Sequence, residues 1–167
     1  SYYYVVRAVN AAGPGSISPQ ASAGPVTPVV DVNAGLQRRY PFDGSAADSQ
    51  GGAPVSIAGT ATYVPGLLNQ ALVFDGSSTF ATLPALSSSD YRDFTAAAWV
   101  WHSSETNWQR IFDFGNGPAN YMMLTRVSGV LRFDICQNGA VQSVQVTAPP
   151  LDRWVHVAVT FSGNWAT

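Results

Sequence analysis

Two runs of alternating apolar and polar residues, VLRFDICQ and AVQSVQV, occupy residues 130–137 and 140–146 on either side of Asn138-Gly139. Alternation with a period of two is typical of a β-strand that has one buried face. Both central residues of a type I′ turn need a positive φ, which asparagine and glycine tolerate. The stretch from 130 to 146 therefore predicts a β-hairpin and indicates the structural class of the chain around it.

The same pattern extends outward from this hairpin. From Leu36 to Phe161, short apolar runs recur between turn signals such as Asp-Gly, Pro-Gly and Ser-Gly, and no segment has a convincing helical period. About ten short strands at this spacing favour an antiparallel β-sandwich or barrel. The predicted runs are LQRRYPF, ATYV, ALVF, FATLP, FTAAAWVW, RIFDF, YMMLTRV, VLRFDICQ, AVQSVQV and RWVHVAVTF.

The segment before Leu36 has a different pattern. Residues 2–10, YYYVVRAVN, predict a strand, AAGPGS predicts a turn, and Ile17–Ala23 predicts a weaker strand. Residues 24–35, GPVTPVVDVNAG, hold two prolines and two glycines without an amphipathic period, which indicates a linker stiffened by proline. The chain is therefore divided into an N-terminal piece at 1–23, a linker at 24–35 and a main domain at 36–167.

Composition excludes several classes of function. Of the 167 residues 46% are hydrophobic and 11% charged, and the formal net charge is −2. All eight basic residues are scattered arginines, so the basic stripe that nucleic-acid binding requires is missing. No apolar run approaches the roughly 20 residues of a membrane-spanning helix. Cys136 is the single cysteine and is predicted to be a small buried apolar residue; the lack of disulfide partners favours a bacterial source.

An ordered set of short motifs runs through residues 36–167. They are Tyr40-x-Phe42-Asp43-Gly44, Asp48, Gly66, Ala71-Leu72-x-Phe74-Asp75-Gly76, Leu83-Pro84, Asp93-Phe94-Thr95, Ala98-Trp99-Val100, Trp154-x-His156-Val157-Ala158 and Thr160-Phe161. Together, in this order, they resemble the laminin-G-like, concanavalin-A-like domains of large secreted bacterial proteins. The resemblance implies an all-β, antiparallel jelly-roll β-sandwich. Further strands normally follow in that family, so the resemblance also implies a domain that is incomplete at its C-terminal side.

The N-terminal piece carries a second resemblance. Its pattern is Tyr2-x-Tyr4-x-Val6-x-Ala8-x-Asn10 followed by Ala12-Gly13. This pattern resembles the last two strands of a fibronectin type III domain, which is an immunoglobulin-like sandwich of about 100 residues. The resemblance covers about a quarter of such a domain, and it implies that Tyr2 is the corner tyrosine whose hydroxyl bonds back to the chain.

Catalytic residues are not predicted. Retaining glycosidases need two carboxylates about 5–5.5 Å apart, yet Glu105 is the single glutamate, and Asp113 and Asp134 stand alone in separate predicted strands. His102 and His156 have no Ser and Asp partners at a catalytic spacing, and no Gly-x-Ser-x-Gly elbow is present. We therefore predict that this chain is not itself an enzyme.

The alternating strands also predict which aromatic residues are buried. Phe94, Trp99, Trp154 and Phe161 occupy strand positions and are assigned to the core. His156 lies in the alternating run that begins at Trp154 and is predicted to be a packed, hydrogen-bonded structural histidine.

Three other aromatic residues are predicted to bind ligand. Trp101, Trp108 and Tyr121 flank or occupy the loops HSSETNWQ and GNGPANY. Aromatic rings supply flat apolar surface with a polar edge, and sugars present apolar CH faces. A polysaccharide or glycoconjugate is therefore the predicted partner, with a cell-surface protein as a second one. Packing of a loop tryptophan on its own hairpin is the alternative.

Calcium is the one cofactor that the sequence suggests. Asp43 and Asp48 lie in one Gly-rich loop and Asp75 in another, and Ca²⁺ prefers carboxylate and carbonyl oxygens. Related folds often bind Ca²⁺ at the edge of the sandwich, so these three residues are the predicted ligands. The alternative is that each Asp-Gly pair simply makes a tight turn.

The resemblance implies a non-catalytic recognition module, with carbohydrate as the predicted ligand, in a larger secreted protein located outside the cell or at its surface. Two other functions fit the same residues. One is a structural spacer or adhesion module with a protein ligand. The other is an accessory domain of a glycoside hydrolase or lyase whose active site lies outside this chain.

Overall fold

The computed structural model describes four short strands between residues 2 and 23, and residues 34–85, 93–162 and 165–166. The chain divides into two compact units, Ser1–Gln37 and Arg38–Thr167. Every described element is a β-strand, and every strand pairing is antiparallel. The predicted all-β, antiparallel class is therefore confirmed. None of the described residues forms a helix that would cross a lipid bilayer.

The first unit contains β1 (Tyr2–Tyr4), β2 (Arg7–Asn10), β3 (Gly13–Ile17) and β4 (Ala21–Ala23). β2 pairs with β3, and β1 pairs with β4. Because β3 begins at Gly13, the last four residues of the predicted turn AAGPGS lie in a strand instead. The Tyr2 side chain and linker residues 24–33 lie outside the described residues, and the fibronectin type III assignment stays a prediction.

The second unit begins with β5 (Ser56–Ala58), β6 (Thr62–Pro65), β7 (Gln70–Val73) and β8 (Phe80–Thr82). β5 pairs with β8, and β6 pairs with β7. The predicted strand LQRRYPF is wrong, because residues 36–42 are not in a strand. The Arg39 amide instead donates to Asp48 Oδ1 at 2.9 Å, and the Arg39 carbonyl accepts from the Ser49 amide at 2.8 Å. Local bonds of this kind replace a strand ladder.

Two larger sheets follow, built from β9 (Asp93–Trp101), β10 (Gln109–Gly115), β11 (Asn120–Val127), β12 (Val130–Gln137), β13 (Ala140–Thr147), β14 (Trp154–Ser162) and β15 (Trp165–Ala166). One sheet has the order β10-β11-β12-β13, and the other has the order β15-β14-β9. β14 pairs with β9 along its whole length, although four strands separate the two in sequence.

The hairpin predicted from Asn138-Gly139 is confirmed. Asn138 has a φ of 52° and Gly139 a φ of 82°, as a type I′ turn requires, and Gln137 pairs with Ala140. Ser128 and Gly129 likewise have positive φ values and connect β11 to β12. These two turns determine how β11 pairs with β12 and how β12 pairs with β13, because a two-residue loop fixes which residues of the two strands face each other.

The core lies between the two larger sheets. Its buried centre consists of Leu124 and Phe133 from one sheet and Val157 and Val159 from the other. Side chains alternate across a strand, so the inward residues of β9 are fixed by the same packing. They are Phe94, Ala96, Ala98 and Val100. This face-to-face packing is that of a β-sandwich, and Cys136 is buried as predicted.

The assignment of Trp99 and Trp154 to the core is wrong. Trp99 is 53% exposed, and the register places both residues on the face of β9 and β14 that points away from the core. The inward face of these strands carries alanine, valine and phenylalanine, which pack closely against Leu124 and Phe133. The predicted alternation between two faces is present, but the face that carries the larger rings is the outer one. His156 is exposed on that same face.

Replacing Gly139 tests the hairpin. A Cβ at this position would meet no atom within 4 Å, so only the positive φ opposes a side chain. We expect Gly139→Ala to lower the unfolding free energy by about 1 kcal/mol, measured by chemical denaturation. Gly139→Asn is the matched control and should cost less, because asparagine tolerates a positive φ. Equal losses in both variants would contradict the assigned turn.

Candidate functional site

Four aromatic side chains lie together on the outer face of β9 and β14. The register places Trp99 opposite His156 and Trp101 opposite Trp154. Ring centroids are 5.2 Å apart in the first pair and 5.9 Å apart in the second, and both pairs meet edge-on. We call Trp99, Trp101, Trp154 and His156 the aromatic array.

The aromatic array is open to solvent. Trp101 is 48% exposed and Trp99 slightly more, while Trp154 is half-buried between its neighbours. The indoles cannot turn inward, because the other face of both strands is occupied by the core. Paired strands hold the rings at fixed spacing, so the array offers rigid apolar area with N–H groups at the ring edges. Such a surface suits a ligand that has both apolar and hydroxyl groups.

Trp108 and Tyr121 lie on the opposite side of the sandwich. Trp108 has a φ of 65° and precedes β10, and the Arg132 guanidinium lies 5.1 Å from its ring centroid. Arg132 points away from the core, because its neighbour Phe133 points into it. The exposed fraction of Trp108 is 51%, but the guanidinium covers part of the ring. Trp108 therefore packs against Arg132 and is also half exposed, so both a ligand-binding role and a packing role stay compatible with its position.

Tyr121 is less accessible than Trp108. It is paired with Cys136 on β12 and is half-buried. Burial, and then the neighbouring Cys136 and Asp134, raise the pKa of its hydroxyl. By strand alternation Tyr121 shares the outer face of the four-stranded sheet with Arg132, whereas Trp101 lies on the other sheet. The structure therefore places the three predicted ligand residues on two separate surfaces.

The acidic residues considered for catalysis are held by cations or hydroxyls. Asp113 and Asp134 lie on the same outer face, on either side of Met123. Asp134 is almost fully buried and accepts from Arg132 and Ser143, and Asp113 forms an ion pair with Arg110 at 3.3 Å. Asp134, which is buried and neutralised, is poorly suited to proton transfer with a polysaccharide, whereas Asp113 is exposed and bonds to Arg110 at the surface.

Glu105 has a different partner, Arg126, which the sequence interpretation did not single out. Arg126 is 4% exposed and makes two bonds to Glu105 Oε2 and one to the Pro149 carbonyl. The bond from Arg126 is the main cause that lowers the pKa of Glu105. Burial, with the Arg126 charge second, lowers the pKa of His102. An arginine within the apolar run YMMLTRV was the available signal, since buried arginine requires an anion.

The three predicted calcium ligands do not come together. Asp75 Oδ1 accepts from the amides of three following residues and Oδ2 from the Ser78 hydroxyl, and these bonds lower its pKa. Asp43 Oδ2 accepts from Asn69 at 2.8 Å. Among residues 34–85 and 93–162 no group of three His, Cys, Asp or Glu side chains is arranged to hold a metal ion.

Of these three aspartates, Asp48 is the one with a buried carboxylate oxygen that lacks a hydrogen bond of regular geometry. Its Oδ1 accepts from the amides of Arg39 and Gln50, and the first of these bonds is the main cause that lowers its pKa. Its Oδ2 is buried against Gly52, whose amide also lowers the Asp48 pKa, and it makes no hydrogen bond of regular geometry within the described residues. Of the three predicted calcium ligands, Asp48 is therefore the one whose carboxylate is not fully used by hydrogen bonds of regular geometry.

Known families and structures can be compared with this architecture. A laminin G-type family model, described as the concanavalin A-like lectin/glucanases superfamily, matches residues 74–167, which is more than half of the chain. The chain belongs to this superfamily. The match begins just after β7 and includes both larger sheets and the whole aromatic array. The predicted resemblance to concanavalin A-like jelly-roll domains is thereby confirmed.

A solved structure resembles the chain over a larger part of its length. It is a crystal structure of an S-layer domain-containing protein from Clostridium thermocellum ATCC 27405, 30% identical in sequence and with a TM-score of 0.58. The similarity covers 78% of this chain and 66% of the other, so this chain spans slightly less than two thirds of that structure. No curated protein sequence matches the chain.

The ion pair of Glu105 and Arg126 should contribute to stability. Glu105→Gln removes the anion and leaves the charge of buried Arg126 without a counter-ion. We therefore expect this variant to have a lower free energy of unfolding, measured by chemical denaturation. Arg126→Met removes that charge as well, and the double variant should be more stable than Glu105→Gln alone. Equal effects of Glu105→Gln in the presence and absence of Arg126 would show that the two residues are not coupled.

Proposed function

We propose that the concanavalin A-like domain is a non-catalytic module that recognises carbohydrate through the aromatic array. The observation that carries this proposal is the pair of exposed indoles, Trp99 and Trp101, held on the outer face of β9. Large exposed aromatic clusters are uncommon on protein surfaces without a binding role. The apolar CH face of a pyranose can stack on an indole ring, and its hydroxyl groups can accept a hydrogen bond from the indole N–H. The apolar face and the polar edge of the indole then both contact the sugar.

Absence of catalysis is part of the proposal. The superfamily name covers both lectins and glucanases, so family membership alone leaves both functions open. Binding is favoured because Glu105 bonds to Arg126 and Asp134 is buried beside Arg132. A hydrolase needs a carboxylate that exchanges protons with its substrate, and these two are committed to buried or half-buried ion pairs.

An extracellular or cell-surface location is proposed on the same basis. The Clostridium thermocellum protein is named for an S-layer domain, and its likeness to this chain supports a surface role in a larger protein. That likeness also favours the second candidate function, a structural or adhesion module with a protein ligand. Binding measurements with carbohydrates separate the two functions.

Single tryptophan substitutions test the proposed site. We expect Trp101→Ala to weaken binding of the full chain on a glycan array by about 2 kcal/mol or more, the loss typical of an aromatic hot spot. Its melting temperature should change little, because Trp101 is half exposed. Trp108→Ala serves as the control on the opposite side of the sandwich and should retain binding. Loss of binding in Trp108→Ala alone would assign the site to Trp108 and Tyr121 instead.

Calcium is proposed to act on stability through Asp48. A ligand that binds only the folded state stabilises it by RT ln(1 + [L]/Kd), about 2.7 kcal/mol at a hundredfold excess over Kd. We expect calcium to raise the melting temperature of chelator-treated protein and Asp48→Asn to abolish the increase. Asp43→Asn is the control, since that residue already bonds to Asn69. An unchanged melting temperature in the metal-free wild-type chain would eliminate calcium.

A further inference from the structure

The aromatic array is one end of a longer outward surface. From the array towards the N-terminal end of β9, the next outward pairs are Ala97 opposite Ala158 and Thr95 opposite Thr160. All four of these residues are exposed. We call the array together with Ala97, Ala158, Thr95 and Thr160 the outer strip.

The outer strip is elongated along the strands. Thr95 and Trp101 are six residues apart, which corresponds to about 20 Å at roughly 3.4 Å per residue. Across the strip there is a single cross-strand pair at each level, about 5 Å wide between Cβ atoms. A ligand that uses the whole strip must therefore be extended and must lie parallel to β9.

The strip changes in chemistry along its length. Four rings lie at one end of the strip. Next to them are Ala97 and Ala158, whose small side chains allow a ligand to approach the backbone closely. At the other end the hydroxyls of Thr95 and Thr160 are 3.0 Å apart. Each hydroxyl retains further hydrogen-bonding capacity, so this end can contact the hydroxyl groups of a ligand whose other sugars lie on the rings.

Charge on the strip is almost absent. Neither lysine nor arginine occupies an outward position of β9 or β14, both of which are described throughout. The ionisable outward groups are His156 and, beyond the threonines, Asp93, which accepts from Ser162 at 2.8 Å. Recognition of uronic or sulfated sugars relies on arginine or lysine, and such cations are missing from these positions.

From these features we infer that the ligand of the outer strip is a neutral, extended polysaccharide that binds along β9 and β14 over several consecutive sugars. This inference rests on the proposed function and specifies its ligand class. A single sugar would occupy only one or two rings, and an acidic glycan would find no arginine or lysine at the outward positions of β9 and β14.

The test uses the full chain with a glycan array and affinity electrophoresis. The neutral probes are hydroxyethylcellulose and galactomannan, each with its oligosaccharides of increasing length, and the anionic probes are polygalacturonate and alginate. We expect binding to a neutral probe, an affinity that rises with oligosaccharide length, and little change with added salt. The melting temperature of each variant reports whether it is folded.

Ala97→Arg distinguishes the ligand classes. It places a bulky cation in the middle of the strip, so binding of a neutral chain should weaken by at least about tenfold, the scale of a hot-spot contact. Val141→Arg adds the same charge to an exposed residue of β13 and should leave binding unchanged. Should Ala97→Arg unfold the chain, Thr95→Val provides a second variant that keeps the shape but removes a hydroxyl.

Three results would overturn the inference. Binding of an anionic probe that is strengthened by Ala97→Arg would show an acidic ligand, and equal affinity for a monosaccharide and its oligomers would show a single-sugar site. Either result leaves carbohydrate recognition standing. Failure of every carbohydrate probe to bind the folded chain would remove the proposed function and this inference together.

Discussion

The antiparallel pairing of β9 with β14 is the constraint on which the rest of the domain depends. Side chains alternate across each strand. Because Val157 and Val159 are buried against Leu124 and Phe133, the alternate residues of β14 and their partners on β9 must point away from the core. The same hydrogen-bond register that builds the core thus presents Trp99 and Trp101 to solvent. A slip of one residue would exchange the two faces and place the indoles inside. The pairing register of β9 with β14 therefore determines both the residues of the core and the residues of the exposed outer face.

The register explains which predictions from sequence succeeded. Local signals were enough for the hairpin at Asn138-Gly139 and for most of the long strands, because turn residues and alternation act within a few positions. Alternation alone does not say which face is buried when both faces carry apolar residues, so the sequence by itself places Trp99 in the core. LQRRYPF failed for another reason, since the Asp48 carboxylate bonds to the Arg39 backbone and takes the place of a neighbouring strand.

Candidate sites were harder to predict than strands because their members are distant in sequence. Four strands of the other sheet separate Trp99 from His156 in sequence, and no local pattern connects the two residues. The bonds from Arg126 to Glu105 and to the Pro149 carbonyl likewise join two loops through a strand that lies between them. Sequence inspection identified aromatic residues as the relevant chemistry, but their grouping required the strand order.

The close contact of Trp101 with Trp154 has an optical consequence. Their indole rings lie 5.9 Å apart at an interplanar angle of 66°, and at such a separation the excited states of two chromophores couple. Coupled indoles in a fixed, chiral arrangement produce paired bands of opposite sign in the circular dichroism spectrum. Because both rings belong to an exposed surface, any molecule that covers them alters both the coupling and the polarity around the indoles. The outer face of β9 and β14 thus contains a built-in chromophore whose spectrum reports its own occupancy without an added label.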